Sequence, residues 1–187
     1  MRMTRTKVTL GLVLAAATAA VSLTVISLAS ADSDHSITAV ATSATGRFHN
    51  LEAAQDAGWT VLVKDTAGST CIDNQPVGGM GVHWANPSVL FDADLDPSTP
   101  EALVYAPNAA GQPKLAALEY IVFQSAWVAA GHSPSDPPEL FGQQFALTPD
   151  NPPNRVGLPA FWSLHVWIWQ PNAAGMFQPW NPGVHCP

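Results

Sequence analysis

The sequence predicts an α+β fold: a single domain, mainly an antiparallel sheet with the option of curling into a small barrel, one N-terminal helix and long Pro-rich loops. Three observations carry this. One segment of helical pattern is followed by several short apolar runs with alternating or continuous hydrophobicity. Hairpin-type turn clusters separate those runs. And 17 prolines punctuate the remainder.

Residues 46–58 read as a short helix, with Thr45 as N-cap and Gly58 as the stop; Phe48, Leu51, Ala54 and Gln55 share a face. Residues 59–63 (WTVLV) form a strand. The stretch 64–81 is turn-rich and contains Cys71. Val82-His83-Trp84 follows, closed by Asn86-Pro87, and then Val89-Leu90-Phe91. Residues 92–100 make an acidic loop. Residues 102–105 and 115–123 are strands, joined as an antiparallel hairpin through Pro107-Asn108-Ala109-Ala110-Gly111. Residues 131–160 are loop-like, with an apolar interruption between Leu140 and Leu147. Residues 163–169 are the last strand, and Pro171 to Gly175 repeats the earlier turn.

Residues 1–31 predict an export signal. Arg2, Arg5 and Lys7 precede an uncharged stretch over 8–28, and Ala29-Ser30-Ala31 is a small-residue cleavage site. The stretch is also long enough for an uncleaved anchor. Residues 32–44 are small and polar and predict a disordered mature N-terminus, leaving 45–187 as one globular domain. After cleavage the chain keeps four basic residues (Arg47, Lys64, Lys114 and Arg155) against all 14 acidic ones, a formal charge of −10. Such a surface disfavours nucleic acid and anionic lipid, and with the signal removed no membrane segment is expected. Cys71 and Cys186 are the only cysteines. In an exported chain they predict one disulfide, worth about 4–5 kcal/mol at best for so long a loop.

His83, Glu119 and His165 each sit in an apolar or aromatic run where a charge is costly. Alternation puts Glu119 on one side of its strand with Ala117, Ile121 and Phe123, and Tyr120 on the other. It puts His165 on one side with Trp167 and Trp169. Both strands are apolar on both faces, so both are central. With four basic side chains in the mature domain, the expected partner of a buried Glu119 is His83 or His165. The three can close around one divalent metal (iron, zinc, manganese or copper), with His132, Asp92 or His49 completing the sphere, or form a metal-free His–Glu pair. Seven tryptophans are many for this length. Most belong to packing, but Trp84, Tyr120, Trp167 and Trp169 are candidates for the wall of a pocket holding a saccharide or an aromatic molecule.

Residues 92–96 (DADLD) open like a calcium loop, but position 6 is Pro97 rather than Gly and position 12 is Leu103 rather than Glu. A solvated turn is the better reading. No G-x-S-x-G, H-E-x-x-H, C-x-x-C, P-loop or dinucleotide-binding glycine run occurs.

Taken together, GMGVHW at 79–84, LEYIV at 118–122, HVWIW at 165–169 and GMFQPWNP at 175–182 resemble a family of exported bacterial, actinobacterial-type proteins, over roughly residues 45–187. That resemblance implies no activity. The order His, Glu-Tyr-Ile-Val, His-x-Trp is also similar to the oil-body-associated-protein-like family and is compatible with a His/Glu/His site. The expectation is a secreted protein with a divalent-metal site in an aromatic-lined pocket. The alternative is a non-catalytic small-ligand module with a structural His–Glu pair. An enzymatic activity and protein partners are left open.

Overall fold

A computed structural model describes residues 36–187; the expected signal and its cleavage point lie outside them. Residues 36–45 are helical, not disordered as their composition suggested, because Ala41 and Thr45 are fully buried and anchor the segment. Thr45 does not cap the next helix. Its hydroxyl donates back to the Ala41 carbonyl at 2.7 Å. The expected helix over 46–58 is instead a 3-10 turn (Gly46–His49) and a short helix α1 (Leu51–Asp56). Asn50 is extended between them, and its side chain accepts from the Glu52 and Ala53 amides, making it the N-cap. Gly58, at φ +115°, stops the helix as its sequence position suggested.

Nine strands follow: β1 (Val61–Leu62), β2 (Cys71–Asn74), β3 (Gly78–Ala85), β4 (Ala102–Pro107), β5 (Pro113–Phe123), β6 (Glu139–Leu140), β7 (Gln143–Gln144), β8 (Ala146–Thr148) and β9 (Phe161–Val166). Helix α2 (Gln124–Ala129) continues directly from β5. The main sheet has seven strands in the order β1-β3-β4-β5-β9-β8, with β2 also on β3. All pairs are antiparallel. The sheet is open. β1 and β8 end it without pairing to each other, so the expected option of a barrel is not realised. The β4–β5 hairpin and the central position of β5 match the sequence expectation, whereas Val89-Leu90-Phe91 is turn and the last strand stops at Val166.

Directly opposed residues in an antiparallel pair share a face. The register therefore sorts the sheet into two sides. Trp84, Leu103 and Leu118 stand on one, joined by Tyr105, Tyr120, Val122, Leu164 and Val166. This is the principal core, covered by Phe48, Ala54, Trp59, Phe141 and Phe145. Its polar tips are tied off: Tyr105 Oη donates to the Phe48 carbonyl at 2.6 Å, Tyr120 Oη to Pro97 at 2.8 Å and Trp59 Nε1 to Pro100 at 3.0 Å.

The other side holds two smaller apolar clusters. Val104, Ala117, Trp167 and Val184 form one, and Ala85, Ala102, Ile121, Phe123 and Phe161 the other. The C-terminal tail is held over this side. Cys186 is bonded to Cys71 across 115 residues of chain, and Asn181 bridges Gly79. Gly79 permits that approach, because a Cβ there would lie 2.7 Å from Val184 Cγ1. No helix among the described residues is long and apolar enough to cross a membrane.

Candidate metal centre

Between the two small clusters, three strands bring His83, Glu119 and His165 together. Glu119 on β5 pairs directly with His165 on β9 and with Ala102 on β4. His83 lies one strand further, on β3, opposite Val104. Ala102 is fully buried and presents only a methyl, so the imidazole of His83 and the carboxylate of Glu119 meet across β4.

His83 Nε2 is 3.3 Å from Glu119 Oε2 and 3.2 Å from His165 Nε2, and His165 Nδ1 is 3.5 Å from Glu119 Oε1. One ligand atom from each residue falls within 4.8 Å of the others. Ligand atoms bound tetrahedrally at about 2.0–2.1 Å lie about 3.3–3.4 Å apart, which is close to the two shorter separations. All three residues are buried, at 4, 7 and 2 % exposure.

Burial dictates their protonation. Desolvation pushes His83 down to about 4, against the pull of the Glu119 charge, with His165 adding slightly to the depression. Desolvation alone takes His165 to about 4. The same cause raises Glu119, opposed by His83 and by the Ser163 hydroxyl. At neutral pH both imidazoles are therefore neutral, the form that binds metals. The trio does not satisfy itself fully. His83 Nδ1 is buried without a hydrogen bond of good geometry, and the Gly81 carbonyl exerts only a weak pull on the ring. A His bound to metal through Nε2 carries its proton on Nδ1 and usually gives it to a backbone carbonyl, the role Gly81 is placed to fill.

The other residues suggested from sequence lie elsewhere. His132 stacks on Trp127 with ring centroids 3.5 Å apart, and His49 packs edge-on against Trp169. Asp92 accepts from the Asp94 amide, and Asp96 is spent on Ser98 and Thr99, so the acidic loop is a set of side-chain-capped turns. The four residues suggested as pocket wall are not in the lining of the cavity beside the trio. Trp84 and Tyr120 point into the principal core by strand alternation. Trp167 and Trp169 lie past the end of β9; Trp167 keeps to the His165 side, its ring centroid 6.2 Å from that of His165 and packed with Val104 and Val184, whereas Trp169 leaves it. Trp167 Nε1 donates to the Gln178 carbonyl, and Trp169 Nε1 to Thr45 Oγ1.

A cavity of about 200 Å³ does adjoin the trio, with His83 and Glu119 in its lining together with Ala102, Ile121, Phe161, Ser163 and Trp180. Loop residues Val63, Arg155 and Val156, with Thr148 at the end of β8, Ile72 on β2 and Met80 on β3, complete it. Ser163 and Phe161 were legible by counting backward in twos from His165, and Ile121 by counting forward from Glu119. The loop contributions carried no sequence signal.

No family model, curated protein or solved structure matches this chain, so its function rests on the chemistry of the site itself.

Proposed function

We propose that the protein is an exported metal-binding protein whose His83, Glu119 and His165 hold one divalent first-row metal. The observation that carries this is the convergence of two neutral imidazoles and one carboxylate at ligand-to-ligand spacing inside an otherwise apolar sheet face. Two nitrogens and one oxygen suit iron(II) or zinc best, with manganese and copper as further candidates. Three protein ligands leave coordination positions free, and His83 and Glu119 both border the cavity, so the free side faces it. An ion so held supplies Lewis-acid or redox chemistry to a molecule in the cavity. The disulfide and the predicted signal fit an oxidising compartment outside the cytoplasm.

The test is the metal content of the protein purified without chelator or affinity tag, beside His83→Ala and His165→Ala. About one metal per chain is expected, lost in both variants. A wild-type protein that stays metal-free after exposure to iron, zinc, manganese and copper would sink the proposal and leave a His–Glu pair as a structural feature.

A further inference from the structure

The cavity beside the trio has a size, a wall and a charge that together select an occupant. An apolar cavity of about 150 Å³ accepts benzene, so one of about 200 Å³ accommodates a single substituted ring. Its wall is apolar and partly aromatic, with Ile121, Phe161 and Trp180 the large contacts. The polar groups His83, Glu119 and Ser163 are gathered on the sheet, in the buried part of the lining.

The one cation in the lining is committed. Arg155 sits at the exposed rim, with its guanidinium 3.3 Å from Asp65 Oδ2, and it also donates to the Asp73 carbonyl. No lining cation is left to pair a charged group on the guest, so the metal site itself is the one place for a negatively polarised oxygen. A saccharide would bury many hydroxyls against walls that offer few partners.

We infer that the cavity takes a single-ring molecule bearing one oxygen donor, its ring against Ile121, Phe161 and Trp180 and its oxygen toward the metal site. This rests on the metal reading above. Phenol is the simplest such molecule.

The test is calorimetric titration of phenol, toluene, 2-naphthol and glucose into the metal-loaded protein and into Val156→Trp, which fills the cavity from its loop side. Phenol should bind at least tenfold tighter than toluene, 2-naphthol or glucose. Val156→Trp should weaken phenol at least tenfold while keeping its metal. Equal affinity for phenol and toluene, tighter binding of glucose or naphthol, or undiminished phenol binding by metal-bearing Val156→Trp would each overturn the inference.

A second readout needs no variant. Phenol should shift the NMR signals of the Ile121 methyl groups and the Trp180 indole and leave those of Trp84 and Trp169 in place; the reverse pattern would overturn it. The two proposals also fail separately. Metal uptake without a preference for phenol defeats this inference alone. A protein that takes no metal yet prefers phenol over toluene defeats the metal reading and the role given to the oxygen, while the ring site stands.

Discussion

The two faces of the main sheet are built from the same strands and do opposite things with their side chains. On β5, Leu118, Tyr120 and Val122 enter a large core in which the tyrosine hydroxyls meet backbone carbonyls. One residue out of phase, Ala117, Glu119 and Ile121 face a thinner layer with two separate clusters, three ionisable groups and a cavity. The first face is where burial of apolar area stabilises the fold. The second gives up part of that gain, since desolvating two imidazoles and a carboxylate is unfavourable unless something binds them. A sheet whose stability comes mainly from one side can hold strained chemistry on the other.

The strongest way to break this comparison is to release what covers the second face. Cys186→Ser frees the tail that brings Val184 and Trp180 over the sheet. The closed loop of 115 residues sets an upper loss of about 4–5 kcal/mol. Urea unfolding should show a drop approaching that figure, and metal retention should fall with it. A variant that keeps full metal occupancy would mean that the second face needs no cover.

Next come two adjacent residues on opposite faces. Leu118→Ala, fully buried in the principal core, should cost about 3 kcal/mol in chemical denaturation and leave the metal-to-protein ratio unchanged. Glu119→Gln should do the reverse. Metal is lost, while the metal-free protein changes stability by less than about 1 kcal/mol, because a neutral amide replaces a carboxylate that burial already disfavours. If Glu119→Gln proved as destabilising as Leu118→Ala, the division of labour between faces would be wrong.

Much of this contrast was legible in the sequence. An apolar run interrupted by a single Glu, in a chain with few cations, pointed to histidine partners, and alternation sorted Glu119 from Tyr120. The cysteine pair followed from the expectation that the chain is exported. Three things were not legible. Sheet closure depends on whether edge strands meet, and β8, a three-residue strand in a Pro-rich stretch, ends the sheet where a barrel would have needed a longer partner. The helix over 36–45 is held by tertiary burial of Ala41 and Thr45, which local composition does not report. And the lining from loops, Val63 and Val156 among it, comes from chain reversals that no periodicity encodes.

Glu101 sharpens the comparison at the boundary between faces. It is 2 % exposed at the start of the β4 region, and its carboxylate accepts the Ile121 amide at 2.9 Å. Burial pushes it up to about 8, the Ile121 bond opposes this, and the charges of Asp92 and Glu119 add to the rise. A raised folded-state value means a stabilising contribution complete below about 4.5 and lost as pH climbs through about 8. Glu101→Gln mimics the protonated form and keeps an acceptor for Ile121. It should therefore match wild type near pH 4 and be more stable by on the order of 2 kcal/mol at pH 8. Thermal melts across that range check it, and a constant difference would show that Glu101 does not carry its proton in the fold.

The smallest effect tests where the aromatic residues belong. Were Trp169 on the His165 side of a continuing strand, it would wall the site, and Trp169→Phe would weaken metal and phenol binding. In the fold, β9 ends at Val166, and the Trp169 amide turns to the Ala116 carbonyl at 3.1 Å. Its indole then packs on His49 and Gly46, with Nε1 3.3 Å from Thr45 Oγ1. Trp169→Phe loses one long hydrogen bond whose acceptor, Thr45, keeps its own bond to Ala41. The expected cost is about 1 kcal/mol, read as a small shift in the urea midpoint. Metal stoichiometry should not change, because the residue docks the N-terminal helical segment and not the second face. A loss of metal from this variant would join the two faces that the rest of the structure keeps apart.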